Sequence, residues 1–231
     1  MVDEEKEFTR VPFSDDWFEN EDQLSTFVQG CDIMVHLAAR NRPADAPIVY
    51  ETNVGLTRQL IKALRQNTRP PALIFTTSIR EGENTAYGQS KQACREILES
   101  WAGEQKSNQL TTLQLPNIFG PGAKPFDNSF IATFSTQLIQ GISPIVTENR
   151  EIPLLYIDSA CQVILLAVRR LLDPEAKNIG SGQVQPDFRM TVAEVLETLR
   201  GFWQEYQKSG RIAIPERPGP ALLRKTFLSY L

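Results

Sequence analysis

Several features that mark common classes of protein are scarce in this sequence. It has one histidine, and its three cysteines, Cys31, Cys94 and Cys161, lie far apart without a metal-type pair. An odd, scattered set of this kind favours reduced thiols over a disulfide framework. No apolar run approaches the roughly 18 residues of a membrane-spanning helix, and the acidic start MVDEEKEF does not resemble a signal peptide. These absences predict a cytoplasmic protein with neither a metal site nor a membrane partner.

An excess of positive charge is also absent. The chain has 24 basic and 28 acidic residues, and its formal net charge is -4. This balance gives no reason to expect a nucleic acid or an anionic membrane as partner. Its 231 residues, 41% apolar and 23% charged, are ordinary for one globular domain with a substantial core.

Apolar segments alternate with helical patterns through the first half of the chain. Strands are predicted over 31–39, 73–77 and 110–115, with helices over 48–66 and 87–102 between them. This order is typical of a parallel sheet covered by helices on both faces. Ligands of such sheets bind beyond the carboxyl ends of the strands. We therefore expect Ala38–Ala39, Thr77–Ser78 and Pro116–Asn117 to lie along one rim.

The pattern is less regular near both ends of the chain. A short strand over 8–13 and a helix over 17–29 are predicted at the start. Beyond Gly122 the predicted elements are helices over 128–140 and 159–172, strands over 143–146 and 151–157, and a helix opened by the Thr191–Glu194 capping box. Asp158 is expected to cap the 159–172 helix. The tail is rich in proline and is assigned no element.

The stretch from Leu73 to Cys94 carries the clearest chemistry. Ser78 follows an apolar strand, and Tyr87 and Lys91 stand four residues apart in the next helix, so they share one face. A tyrosine near a positive charge can exchange a proton with a carbonyl oxygen, and a serine hydroxyl can hydrogen-bond that oxygen. Tyr-x-x-x-Lys alone also occurs by chance on helix surfaces. His36, at the end of an apolar strand, is expected to be a buried structural residue instead of an acid or base.

In order along the chain, these pieces resemble the extended short-chain dehydrogenase/reductase family, also called the NAD-dependent epimerase/dehydratase family. The resemblance rests on the segments His36–Ala39, Asn53, Thr77–Ser78, Tyr87, Lys91, Leu115–Gly122 and Tyr156–Asp158. A narrower resemblance is to the reductase half of bifunctional capsular-polysaccharide enzymes that make UDP-N-acetyl-talosamine-type and fucosamine-type sugars. It adds Asn41–Pro43, Lys124–Ser129, Ile131–Phe134, Glu151–Leu154 and Phe227–Leu231.

The resemblance implies an α/β fold with a Rossmann-like parallel sheet, N-terminally incomplete, and a small C-terminal substrate-binding lobe. It implies one family domain over 1–231, with a sheet core over about 1–122 and 151–182 and a substrate lobe over about 123–150 and 183–231. The implied catalytic residues are Ser78, Tyr87 and Lys91. The implied residues for NADP or NAD are Leu37, Ala38, Ala39, Asn53, Tyr87, Lys91 and Pro116, and those for a UDP-sugar are Asn117 and Asn128.

Two departures from the family pattern bear on activity. The family begins with a glycine-rich turn that holds the cofactor pyrophosphate, whereas the first glycine here is Gly30. The narrower family continues into a cupin domain, which this sequence does not include. We therefore expect a reductase core that is cut at both ends. Its exposed sheet edges would favour association, as a homodimer or with a complementing chain.

Three functions follow as alternatives. The first is nicotinamide-dependent reduction of a UDP-4-keto-6-deoxy-N-acetylhexosamine for surface-polysaccharide synthesis. The second is a non-catalytic remnant or interaction module of such a reductase. The third, nucleotide-sugar epimerisation or dehydration, is less favoured because dehydratases usually place an acid pair beside the serine position, and Ile79 and Arg80 follow Ser78 here.

Overall fold

A computed structural model describes residues 8–41, 46–104, 106, 109–173 and 182–231. The chain divides into two compact units, one comprising 1–113 and 167–182 and the other 114–166 and 183–231. The predicted substrate lobe, 123–150 and 183–231, lies wholly within the second unit. The domain assignment itself stays a prediction.

The first unit is built on a sheet of short apolar strands. Its strands are β1 (Ile33–His36), β2 (Ala72–Ser78), β3 (Leu110–Leu115) and β6 (Gly182–Gln183), in the order β1-β2-β3-β6. β1 and β2 are parallel, with Met34 opposite Leu73 and His36 opposite Phe75. In β2, five consecutive residues are buried, as expected for a strand covered on both faces. This arrangement confirms the predicted α/β class with a Rossmann-like sheet.

Helices cover the strands of the first unit. They are a 3-10 helix (Asp15–Glu19), α1 (Glu21–Gln29), α2 (Ala46–Gln66) and α3 (Ala86–Glu104). The apolar faces of these helices and the side chains of β2 form one core, whose fully buried members include Leu60, Leu64, Phe75, Leu98 and Trp101. Since α2 and α3 pack against each other over this core, the residues that they carry are held in a fixed relation.

The second unit has its own sheet and core. Its sheet has the order β4 (Asn117–Phe119), β5 (Glu151–Tyr156), β7 (Phe188–Thr191), and β5 is parallel to β4 but antiparallel to β7. The helices are α4 (Phe130–Ile139), α5 (Ile157–Leu172), α6 (Val192–Ser209) and α7 (Pro218–Leu228), of which α5 ends in the first unit. Leu154, Leu199, Leu223 and Phe227 are fully buried in the core.

Several predicted elements are confirmed with small shifts of their ends, and others are wrong. The Thr191–Glu194 capping box is present and opens α6. No strand forms over 8–13 or 143–146. Asn20 divides the predicted 17–29 helix because its side chain caps α1 by accepting from the Gln23 amide at 3.1 Å. α5 begins at Ile157, so Asp158 lies in its first turn and does not cap it.

The helix α7, the strand β4 and the strand β7 were not predicted. α7 begins at Pro218, where a proline in the first turn costs no hydrogen bond. Within the described part of the chain, no helix is both long and apolar enough to span a membrane.

Candidate active site

The chain folds back on itself between β2 and α3 and brings the three predicted catalytic residues together. β2 ends at Ser78, a turn over 79–85 follows, and α3 begins at Ala86. Tyr87 lies in the first turn of α3 and Lys91 in the second, on the same face. The Ser78 hydroxyl acts on the Tyr87 pKa as a hydrogen-bond partner of the phenol. The structure therefore brings the three predicted catalytic residues together within one unit.

A glycine makes the close approach of the turn to α3 possible. A Cβ atom at Gly88 would lie 2.5 Å from the carbonyl oxygen of Arg80 and 2.8 Å from that of Glu83. Only glycine leaves room there, since side-chain atoms do not approach backbone oxygens so closely. The Gly88 carbonyl also accepts a hydrogen bond from the Gly82 amide at 3.2 Å. Gly88, directly after Tyr87, thus sets how closely the turn packs on the helix.

The half-buried Tyr87 phenol is in its neutral form at neutral pH. Burial raises the pKa of Tyr87, while the positive charge of Arg80 and the hydrogen bond from Ser78 act in the opposite direction. The positive charge that lowers the Tyr87 pKa in this structure is that of Arg80. A neutral phenol is the form that can donate a proton.

Lys91 is a buried lysine with defined contacts. Its side chain is 4% exposed, and its Nζ donates to the carbonyl oxygen of Thr76 at 2.8 Å. The ammonium also lies 4.8 Å from the ring centroid of Phe75, a cation-π contact. Burial lowers the pKa of Lys91 to about 8, against the smaller opposing effects of Cys94 and Glu81. The group is thus mostly charged at neutral pH and is held at the end of β2.

Asn53 joins three parts of the first unit through a side chain that is 2% exposed. Its Oδ1 accepts from the Arg40 amide at 2.7 Å, and its Nδ2 donates to the Arg40 carbonyl at 3.0 Å and to the Ser90 Oγ at 2.9 Å. The Ser90 hydroxyl in turn donates to the Tyr87 carbonyl at 2.8 Å. Both amide protons of Asn53 are therefore used in holding the segment after β1 against α3. Its contact with a cofactor stays a prediction.

The segment after β1 offers small or exposed side chains. Leu37 is 57% exposed, Ala38 is half-buried and Ala39 is exposed. Of the neighbouring Asn41–Pro43 motif, Arg42 and Pro43 lie outside the described residues. An accessible strand end with small side chains is compatible with a dinucleotide lying across it.

The remaining predicted residues belong to the second unit. Pro116 is buried, and the half-buried Asn117 donates from Nδ2 to the Pro153 carbonyl at 3.4 Å. Asn128 is exposed just before α4. The substrate role of Asn117 and Asn128 and the cofactor role of Pro116 stay predictions.

Sequence reasoning missed the residues that support the site. The Glu81 side chain is 7% exposed and contacts Thr77 and Arg95, four and 14 residues away. Gly88 could have been recognised, because a glycine inside a helix needs a packing reason. No sequence pattern indicates the role of Glu81, because Arg95 is 14 residues away and contacts it only when the turn has folded.

Comparison with known proteins agrees with this geometry. Residues 12–180 match the NAD dependent epimerase/dehydratase family. The chain is 33% identical over 210 residues to a UDP-2-acetamido-2,6-beta-L-arabino-hexul-4-ose reductase of Pseudomonas aeruginosa, covering 90% of this chain and 54% of that protein.

Solved structures show the same fold. The capsular polysaccharide assembling protein CapF of Staphylococcus aureus superposes with a TM-score of 0.74 at 27% identity, over 92% of this chain and 55% of that one. WbmF of Bordetella bronchiseptica, solved with NAD+ and UDP, superposes with a TM-score of 0.75 at 15% identity, over 95% and 78% of the two chains. The chain spans about half the length of the P. aeruginosa and S. aureus relatives.

The family match covers most of the chain, and the predicted catalytic residues Ser78, Tyr87 and Lys91 lie at the end of β2 and the start of α3. The chain belongs to the NAD dependent epimerase/dehydratase family.

Proposed function

We propose that this chain is the reductase part of an enzyme that reduces a UDP-4-keto-6-deoxy-N-acetylhexosamine with NADPH or NADH, in surface-polysaccharide sugar synthesis. The observation that carries the proposal is the position of Ser78 at the end of β2 and of Tyr87 and Lys91, one helical turn apart, at the start of α3. The substrate class is supported by the P. aeruginosa relative, which is named as a reductase of a UDP-linked 4-hexulose.

The residues present fit one end of the cofactor. Tyr87 and Lys91 would contact the nicotinamide and its ribose, and the accessible Leu37–Ala39 segment would contact the neighbouring part of a dinucleotide. A nicotinamide, when bound, supplies the hydride. The 231 residues contain no glycine-rich turn of the family type, so we assign the pyrophosphate to no residue of this chain.

The chain's own residues account for the proton side of the reduction. The neutral Tyr87 phenol would donate its proton to the keto oxygen as negative charge develops there, and the Ser78 hydroxyl would hydrogen-bond the same oxygen. The positive charge of Arg80, which lowers the Tyr87 pKa, would then stabilise the tyrosinate that remains, because an opposite charge favours the ionised form.

Two experiments test the proposal on the 231-residue chain. The first titrates NADPH and NADH by nicotinamide fluorescence, and we expect saturable binding with a Kd below about 1 mM. The second follows loss of the reduced nicotinamide with a UDP-4-keto-6-deoxy-N-acetylhexosamine. Tyr87→Phe should abolish turnover with little loss of stability, and Ser78→Ala should lower kcat by about 100-fold. Tyr206→Phe, a change of the same kind in α6, is the matched control.

A second candidate is an interaction module that contributes no catalysis. β1 lies at the edge of its sheet, and the side chains of Val35 and Leu37 are 36% and 57% exposed. An edge strand with exposed apolar side chains is a site for pairing with a further strand, from a second copy or a complementing chain. Absence of both cofactor binding and turnover would favour this candidate, whereas turnover that survives Tyr87→Phe would contradict the role proposed for Tyr87. An epimerised or dehydrated product without net reduction would instead favour the other chemistries of the family.

A further inference from the structure

The turn after β2 contains a carboxylate that is enclosed by the protein. The Glu81 side chain is 7% exposed. Its Oε2 accepts from the Thr77 hydroxyl at 2.7 Å, and its Oε1 accepts from the Arg95 Nε. Its backbone N–H also donates to the Ser78 carbonyl at 2.9 Å. A buried carboxylate with a charged partner and a hydroxyl donor is fixed in one orientation, unlike an acid on a solvated loop.

The partners of Glu81 lie on both elements that form the site. Thr77 directly precedes Ser78 at the end of β2, and Arg95 lies on α3, one helical turn beyond Lys91. Arg95 is itself held on the outside by Glu99, to which its Nη1 donates at 2.9 Å. Glu81 therefore connects the strand end that carries the serine to the helix that carries Tyr87 and Lys91.

The Ser78 hydroxyl depends on the shape of this turn. Its Oγ accepts from the Arg80 amide at 3.2 Å, and the hydroxyl lowers the Tyr87 pKa as a hydrogen-bond partner of the phenol. Both contacts depend on the backbone conformation of 78–81. The Glu81 carboxylate stabilises that conformation through its contacts with Thr77 and Arg95.

We propose that Glu81 is a positioning residue of the Ser78–Tyr87–Lys91 group: its enclosed carboxylate, bound to Thr77 and Arg95, holds the Ser78 turn against α3 so that the serine hydroxyl meets the Tyr87 phenol. The consequence for catalysis rests on the proposed function, whereas the consequence for the Ser78–Tyr87 hydrogen bond does not. The negative charge of Glu81 also acts on Lys91, where it opposes the lowering of the pKa by burial.

Isosteric variants separate this role from simple packing. Glu81→Gln keeps the side-chain shape and removes the charge, and Thr77→Val removes the hydroxyl donor. Glu99→Gln is the matched control, because it removes the exposed acidic partner of the same arginine without touching Thr77. A fourth protein, Thr77→Val with Glu81→Gln, tests coupling: if both act through one contact, the double variant should be no worse than Glu81→Gln alone.

The first measurement needs neither cofactor nor substrate. Tyrosinate absorbance is followed against pH for each protein and for the same protein carrying Tyr87→Phe, and the difference is the titration of Tyr87. The charged and titratable groups acting on this phenol are Arg80 and Cys94, with the Ser78 hydroxyl as its hydrogen-bond partner. Since the hydrogen bond from Ser78 lowers the Tyr87 pKa, Glu81→Gln and Thr77→Val should raise it, and Glu99→Gln should leave it at the wild-type value.

The second measurement is steady-state reduction of the keto sugar. Glu81→Gln should lower kcat by about 10- to 100-fold with little change in KM, the size of effect expected when a catalytic group is misplaced by a fraction of an ångström to 1 Å. Should Glu81→Gln fail to fold, Thr77→Val carries both measurements.

The outcomes distinguish this proposal from the proposed function. A Tyr87 titration in Glu81→Gln and Thr77→Val equal to that of Glu99→Gln overturns the positioning role, whatever the activity. A raised Tyr87 pKa in Glu81→Gln and Thr77→Val supports the positioning role even if the wild-type chain reduces no keto sugar, a result that would overturn only the proposed function.

Discussion

His36 should make the protein sensitive to mild acid. Its ring is 5% exposed and stacks on Phe75 with the ring centroids 5.7 Å apart. The Nε2 lies 3.3 Å from the Thr57 hydroxyl oxygen, and that hydroxyl donates to the Asn53 carbonyl at 3.1 Å. The Thr57 oxygen is therefore left to accept, which places the proton of the neutral imidazole on Nε2. A second proton would go onto a buried ring.

The pKa of His36 gives the size of the effect. Burial, and to a smaller extent the charge of Lys91, lower it from 6.5 to about 4. Below pH 6.5 the histidine of the unfolded chain binds a proton, whereas the buried ring of the folded chain stays neutral. The free energy of unfolding therefore decreases as the pH falls towards 4. By linkage the loss is about 2 kcal/mol at about pH 5, and it approaches about 3 kcal/mol once both states are protonated.

Urea denaturation between about pH 7 and pH 5 measures this loss. His36→Gln is the reference, because its amide nitrogen can reproduce the contact with Thr57 and does not titrate. Acidic side chains contribute equally to both proteins, so the difference between the two curves isolates the histidine. We expect wild type to lose about 2 kcal/mol relative to His36→Gln over this range. Because the chain has one histidine, proton NMR can follow the same imidazole directly.

Two results would refute the reasoning. One is a stability difference between the proteins that stays constant across the range. The other is an imidazole resonance that titrates near pH 6.5 while the protein remains folded, since that would mean the ring is solvated.

Four further outcomes are expected. Gly88→Ala should destabilise the chain by at least about 1–3 kcal/mol in urea denaturation, because the new methyl group meets the turn backbone. Trp101→Ala should cost about 3–5 kcal/mol by the same assay, since that side chain is fully buried. Thr191→Ala should lower the free energy of unfolding by about 1 kcal/mol, because α6 loses the side chain that caps it. A Tm equal to that of the wild type would contradict this expectation. As the pH rises from 8 to about 10.5, the free energy of unfolding of the wild type should increase relative to that of Lys91→Met, by up to about 1.4 kcal/mol per pH unit. Over this range the lysine keeps its proton in the unfolded chain and loses it in the folded chain.

The strands and helices that the sequence predicts well are those whose own residues determine them. β3 was placed at its observed bounds, since 110–115 is a β-prone run ended by a proline. The capping box of α6 needs only Thr191 and Glu194, three residues apart. The ends of α2 and α3 were also placed to within a few residues, because apolar spacing marks the face that packs on the core.

The missed elements depend on partners that are distant in the sequence. β7 is only four residues long, too short for its alternation to predict a strand, and it forms by pairing antiparallel with β5, about 35 residues earlier. α7 was hidden by its prolines, and its buried residues Leu223 and Phe227 pack against α6 and the rest of the second core. Long-range packing, which pattern reading does not include, decided both elements.

The candidate site also combines residues that the sequence predicts with contacts that depend on residues distant in the sequence. Ser78, Tyr87 and Lys91 could be found from motif and spacing, whereas the Asn53 and Glu81 contacts that fix them could not. All of these contacts are made between residues of 40–95, which belong to the first unit. The three predicted catalytic residues are therefore held by contacts within this part of the chain. It follows that cofactor affinity and the Tyr87 titration should vary separately, and a variant that alters one without the other would show that the two are physically distinct.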